Sequence, residues 1–300
     1  EDGLCQNTVC CILQDHLGFI WLGTKDGLTR YDGYRFRVFK HDAADPMSIG
    51  NNFIRVLYED ADGLIWIGTN VGVYIYNPET ENFRKFDVAT ERGDVISREV
   101  SSIKCDSSGD LWIGVNWQGV FRYDRRDESL ELYEPVPGDT TSLSSVHVWD
   151  LCFDGDGNLW VGSQNGGLDR YDRETDRFVR HRLKGLSDVS RIVLDKQNQL
   201  LLGTMKDGLF SFNPYMGTCQ PLLLDSGHKD LFVRAIFVRN SREVVVGTEN
   251  GIYIYDCVTR KTRHVNQELG NPYSLSCKAV YSIYCDKEGA LWIGTYFGGV

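Results

Sequence analysis

The sequence contains no run of about 18 apolar residues and no charged-then-apolar opening, which excludes a membrane-spanning helix and a retained secretory leader within these 300 residues. A basic surplus is missing too. Thirty-two Lys and Arg against 42 Asp and Glu give a net charge of −10 and a pI near 5.1, so nucleic acid is not an expected partner and only an isolated basic pocket is compatible. The nine cysteines lack pattern. Cys5, Cys10, Cys11, Cys105, Cys152, Cys219, Cys257, Cys277 and Cys285 form no Cys-x-x-Cys pair. The scattered His16, His41, His147, His181, His228 and His264 add no zinc-ligand spacing. No metal and no cofactor are therefore expected. The odd count leaves at least one thiol free or paired between chains, and unpatterned thiols point to a reducing compartment. Cys105 and Cys285 sit where other repeats carry Leu194 or Val238, and they read as buried small hydrophobes. No nucleophile elbow, phosphate loop or metal spacing appears, so no catalytic residue is named.

What is present is a repeat. The phrase Asp62-Gly63-Leu64-Ile65-Trp66-Ile67-Gly68-Thr69 recurs with its second glycine at Gly23, Gly68, Gly114, Gly162, Gly203, Gly247 and Gly294, at intervals of 41 to 48 residues. Such a period means a solenoid, propeller or array whose units bury their apolar faces against one another. Each copy has four segments. A short apolar strand ends in a polar turn, as in Val9 to Asp15; next comes the Leu-Trp-Ile-Gly-Thr run, too short for a helix; a strand from glycine to an aromatic follows, as in Gly72 to Tyr76; and a charged outer strand closes the copy, as in Phe83 to Phe86. Four antiparallel strands per period predict an all-β fold, a seven-bladed β-propeller with the seventh blade incomplete. The expected single domain spans 1–300, with blades at about 5–40, 50–87, 96–134, 144–183, 185–224, 229–266 and, in part, 276–300. The fifth and sixth copies lack the tryptophan, with Leu202 and Val246 read in its place.

Positions that vary while the framework repeats are candidates for function. The loops between second and third strands read Lys25-Asp26, Asn70-Val71, Asn116-Trp117-Gln118, Gln164-Asn165, Met205-Lys206-Asp207, Glu249-Asn250 and Tyr296-Phe297. Trp117 lies outside the framework tryptophan position, flanked by Asn116 and Gln118, with Gln164 and Asn165 one repeat on. An aromatic plane beside amides suits a sugar ring, whose C–H face stacks while its hydroxyls need donors and acceptors. The competing reading is a packing tryptophan with solvated amides. Tyr296 and Phe297 occupy the same loop of the last copy, and His147 and Trp149 adjoin the first strand of the fourth, where plain packing competes with lining a channel. Arg55, Arg191 and Arg234 near first-strand starts, and Arg98 just before one, would suit a carboxylated or sulfated ligand unless acidic side chains pair with them. Asp154-Gly155-Asp156-Gly157-Asn158 imitates a calcium loop, but Leu159 and Asn165 stand where glycine and glutamate are required, so it reads as a turn.

The phrases Leu111-Trp112-Ile113-Gly114, Leu291-Trp292-Ile293-Gly294-Thr295 and Gly27 to Tyr34 resemble the two-component regulator propeller repeat, as do the linkers Asp45-Pro46-Met47-Ser48-Ile49 and Asn271-Pro272-Tyr273-Ser274-Leu275. The opening Glu1 to Val9 resembles the first repeat of the periplasmic sensor half of Bacteroides-type hybrid two-component regulators. The resemblance implies a non-catalytic sensor that detects glycan-derived oligosaccharides. It further implies a periplasmic ectodomain of an inner-membrane protein, which the cysteine pattern does not, followed by a second propeller, a β-sandwich, a membrane span and a histidine kinase in a homodimeric receptor. Two other classes stand beside it: a propeller enzyme such as a polysaccharide or streptogramin lyase, told apart by ligand turnover, and a protein-interaction scaffold.

Overall fold

A computed structural model describes residues 3–183, 186, 188–222, 231–268 and 270–300; His228 lies outside them. Six four-stranded antiparallel sheets follow one another along the chain, each with its strands side by side in sequence order. The first comprises Val9–Gln14, Ile20–Thr24, Gly27–Tyr31 and Phe36–Phe39, and the second Ile54–Glu59, Ile65–Thr69, Gly72–Asn77 and Asn82–Lys85. The third comprises Val100–Cys105, Leu111–Val115, Gly119–Asp124 and Ser129–Tyr133, and the fourth Val148–Phe153, Leu159–Ser163, Gly167–Asp172 and Arg177–His181. The fifth comprises Arg191–Leu194, Leu200–Gly203, Leu209–Asn213 and Thr218–Leu222, and the sixth Val233–Val238, Glu243–Thr248, Gly251–Asp256 and Thr262–Val265. These are propeller blades. The seventh repeat forms only a two-stranded sheet, Val280–Cys285 with Leu291–Thr295. The expectation of seven blades is therefore corrected to six: the glycine marker counts second strands, whereas a blade also needs a third and a fourth.

The chain forms two compact units, one of Glu1–Val115, Phe121–Leu132 and Tyr281–Val300, the other of Asn116–Val120 and Tyr133–Val280. In the first, Trp21 is buried against Phe39 and against Tyr76 of the next blade, with ring centroids 5.7 and 5.0 Å away. In the second, Trp160 meets Phe212 of the following blade at 5.3 Å. The indoles thus fill the wedges between blades, where truncating one would cost about 3–5 kcal/mol. Register corrects one alignment. The framework tryptophan stands two residues before the glycine, so its counterparts in the fifth and sixth blades are Leu201, paired with Val193, and Val245, paired with Phe237, rather than Leu202 and Val246.

Each framework indole is tied to the aspartate that closes the first strand. Trp21 Nε1 donates to Asp15, Trp66 to Asp60, Trp112 to Asp106, Trp160 to Asp154 and Trp292 to Asp286, over 2.7–3.0 Å. The other carboxylate oxygen accepts N–H groups of the turn, as Asp106 does from Ser108 and Asp110. A buried indole N–H needs such an acceptor, and the sixth blade, without the tryptophan, carries Arg239 in place of the aspartate. The calcium-like stretch is this same turn: Asp154 is bonded by Trp160, Asn158 and the Asp156 N–H. Asp106→Ala removes all three acceptor contacts and is expected to cost about 2–4 kcal/mol, measured by urea denaturation followed by tryptophan fluorescence. A loss below ~1 kcal/mol would mean that the pairing is energetically idle.

None of the nine cysteines is joined in a disulfide. Burial, then the neighbouring Cys10, pushes the Cys11 thiol well up, and burial raises Cys105, so both are held in the unreactive thiol form. Cys105 and Cys285 are half-buried rather than buried; among the nine only Cys152 is fully so.

Candidate functional site

A bulge interrupts most first strands just after their first residue. The register slips between Val9 and Cys11, Ile54 and Val56, Val148 and Asp150, and Val233 and Ala235, and a bulge re-aims the extra residue. Arg55, Trp149 and Arg234 are such extra residues. Arg191 is not: it pairs in register with Gly203, the place Val56 holds opposite Gly68. Arg98 precedes its strand, and its carbonyl accepts the Gly72 N–H at 3.1 Å.

In the second unit the loop Asn116-Trp117-Gln118 leans on the segment before the fourth blade. Trp117 N–H donates to Val146 O at 2.9 Å, and Asn116 forms an isolated antiparallel bridge with His147. His147 Nδ1 lies 3.2 Å from Asn116 Oδ1, which as acceptor sets the proton on Nδ1 and leaves Nε2 an acceptor. Trp117 stands edge-on to the imidazole, centroids 4.0 Å apart, and Gln164 N–H donates to His147 O at 3.0 Å. His147 therefore joins two loops, and the structure brings Asn116, Trp117, His147 and Gln164 together. Gln118 is half-buried; Asn165 is exposed and its N–H donates to Asp188.

Trp117 is 66% exposed at φ 69°, and Phe297 is 62% exposed at φ 143°. Asn165 takes the same loop position at φ 58°, where a short polar side chain is at home. An aromatic held there costs on the order of 1–3 kcal/mol without the return of burial, which marks these two side chains for something other than packing.

The arginines are engaged within their own units. Arg55 Nε donates to Asn70 Oδ1 at 2.7 Å and the guanidinium pairs with Glu99 at 3.2 Å. Arg234 Nε donates to Glu249 at 2.6 Å while its guanidinium covers the Phe232 ring at 3.9 Å. Arg191 donates to Arg234 O and Ser190 O. Trp149 is half-buried, edge-on to Phe232 at 6.5 Å, and its buried indole N–H meets no protein acceptor. In the first unit, Tyr281 stacks on Tyr296 at 5.2 Å, Phe297 adjoins Tyr296 at 4.1 Å, and Lys25 stands 4.3 Å from the Tyr296 ring.

A buried polar cluster was not anticipated. Asp169 is fully buried in the third strand of the fourth blade; Oδ2 accepts the Ser144 N–H at 2.8 Å, while Oδ1, Ser144 Oγ and Ser163 Oγ have no protein partner. Burial raises its carboxyl to about 6, against the Ser144 N–H bond that lowers it. The signal was present in the repeat, because Thr29, Tyr74, Phe121, Phe210 and Tyr253 stand at this place elsewhere.

Four segments, 3–26, 48–71, 142–165 and 274–297, match the family described as two component regulator propeller. A histidine kinase, P4, of Formosa agariphila is 44% identical over 48 residues, 16% of this chain and 4% of the kinase. The crystal structure of the extracellular domain of the hybrid two component system BT3049 of B. thetaiotaomicron superposes with a TM-score of 0.86 at 28% identity, covering 99% of this chain and 40% of that one. The corresponding BT4673 domain gives 0.85 at 22%, covering 99% and 38%. A virginiamycin B lyase from Staphylococcus aureus gives 0.72 at 12%, covering 97% and 93%, a likeness of fold alone. The chain thus spans about two fifths of the hybrid-system domains it matches. Among the described residues no helix is long and apolar enough to cross a membrane.

Proposed function

From four segments that match the two component regulator propeller family, we propose a non-catalytic, ligand-binding sensor segment of a hybrid two-component receptor, recognising an oligosaccharide on the extracytoplasmic side and governing a histidine kinase elsewhere in the protein. The observation that carries the reading is Trp117, exposed on a left-handed backbone beside Asn116, His147 and Gln164. A pyranose C–H face stacks on the indole. The amides and the free imidazole nitrogen supply the mixed donors and acceptors that hydroxyls require. Signalling then needs only that the ligand favour one of two states of a dimeric receptor, by its difference in affinity for them. The likeness to extracellular domains of hybrid systems supports the location and the kinase connection.

Calorimetric titration against a panel of neutral and acidic oligosaccharides, with each mixture assayed for turnover, tests this. Binding without turnover is expected, and Trp117→Ala should weaken it at least about tenfold, ~1.4 kcal/mol. Consumption of the sugar would replace the sensor by an enzyme; absence of binding across the panel would favour a protein-interaction scaffold.

A further inference from the structure

In the first unit, the Lys25 ammonium sits among three aromatic rings, with centroids at 4.3 Å for Tyr296, 5.8 Å for Phe53 and 6.0 Å for Tyr281. The neighbouring charges are matched. Asp26 holds Lys40 Nζ at 2.6 Å and Asn52 Nδ2 at 3.1 Å, and Arg55 is taken by Asn70 and Glu99. Among the described residues no carboxylate pairs with Lys25. Ring faces attract a cation through their quadrupole, yet they are poor acceptors for its three N–H donors. An ammonium fixed by rings and lacking a counter-charge is a ready receptor for an anion. In a chain of net charge −10 it is also a local exception to the repulsion an anion would meet.

The rings decide what carries that anion. Tyr281 and Tyr296 stack with an interplanar angle of 29°, and Phe297, 62% exposed on its positive-φ backbone, extends the aromatic surface. Such a plate accepts the C–H face of a sugar ring while the ammonium takes a group projecting from it. We propose that Lys25, with Tyr296, Tyr281 and Phe53, is a second sugar site that selects a unit bearing an anionic group, either a uronic carboxylate or a sulfate ester. This rests on the oligosaccharide reading of the chain, but on a different set of residues from Trp117.

The test is titration of this chain with methyl β-D-glucuronide, glucose 6-sulfate, methyl β-D-glucoside and inorganic sulfate, followed by calorimetry. At least one anionic sugar is expected to bind about tenfold tighter than the neutral glucoside and than sulfate alone; which of the two does so distinguishes carboxylate from sulfate ester. Lys25→Met, keeping the stem and removing the charge, should abolish the preference, Lys25→Arg should retain it, and Tyr296→Ala should weaken the anionic sugar. Unchanged melting of each variant excludes misfolding as the cause. Equal binding of anionic and neutral sugars, a preference that survives Lys25→Met, or inorganic sulfate binding as tightly as the sugar would overturn the proposal. If neutral oligosaccharides bind through Trp117 while no Lys25-dependent preference exists, this site alone falls; if no sugar binds at all, both readings fall.

Discussion

Gly68→Ala is expected to destabilise the first unit by about 3 kcal/mol, the upper end of what overpacking usually costs. The reason is the separation between blades. A Cβ on Gly68 would lie 2.4 Å from Val56 Cγ1 on the adjoining strand and 2.6 Å from Val100 Cγ1 on the first strand of the next blade. Neither contact can relax by rotating one flexible end, because both partners are β-branched and Val100 is fully buried. The same collision recurs with Ile54 at Gly23, Val189 at Gly162 and Val233 at Gly203. The repeat keeps glycine there for close approach, not for an unusual backbone, since Gly68 is not among the positive-φ glycines. Chemical denaturation of the variant measures the loss, and a midpoint indistinguishable from the parent protein would show that the blades can part without cost. Gly68→Val should be worse still, and Val100→Ala combined with Gly68→Ala should recover part of the loss if the clash is the cause.

Asp169→Asn is expected to act in the opposite direction. The carboxyl is raised from 3.8 to about 6, first by burial, so the native state binds this proton more tightly than the unfolded chain does. A raised carboxyl pKa means that stability is lost as pH climbs from the unfolded value through the folded one, and that the full penalty is present above it. At pH 7.5 that penalty is ~3 kcal/mol at 1.36 kcal/mol per unit. Asparagine keeps an oxygen for the Ser144 N–H and offers an N–H to the unpartnered serine hydroxyls. The variant should therefore gain up to about 3 kcal/mol at pH 7.5 and little or nothing at pH 3.5, where the native aspartate is already protonated. The difference between the two proteins at each pH isolates this residue from depressed carboxylates such as Asp256, held near 2 by the Thr259 N–H and Arg242, whose contribution runs the other way. A variant less stable than the parent at pH 7.5 would mean that the aspartate charge is compensated inside the fold.

Much of the architecture was legible because it is local and repeated. The buried runs Ile65–Thr69 and Gly72 to Tyr76 and the polar turn after Glu59 each encode a strand or a connection in fewer than ten residues. Recurrence then separates scaffold from variation. The blade count was not legible from the glycine marker, which the two-stranded last sheet also carries. The site was legible only in part. Trp117 stood out as an aromatic off the framework, and its neighbours Asn116, His147 and Gln164 were named, but nothing in their spacing says that His147 is the joint between two loops. Lys25 was noted as a loop residue and passed over, since its significance depends on Tyr281 and Tyr296, which are more than 250 residues away.

The sequence by itself determined the repeating strands, the indole-filled wedges and the close-packed glycines, because hydrophobic period and turn chemistry act over a few residues and recur in each copy. Only the tertiary structure decided that Arg55 and Arg234 are neutralised by Glu99 and Glu249, that Lys25 is not, and that Asp169 is sealed from water. Charge compensation and desolvation are properties of what surrounds a group in space, and for these residues the surroundings come from distant parts of the chain.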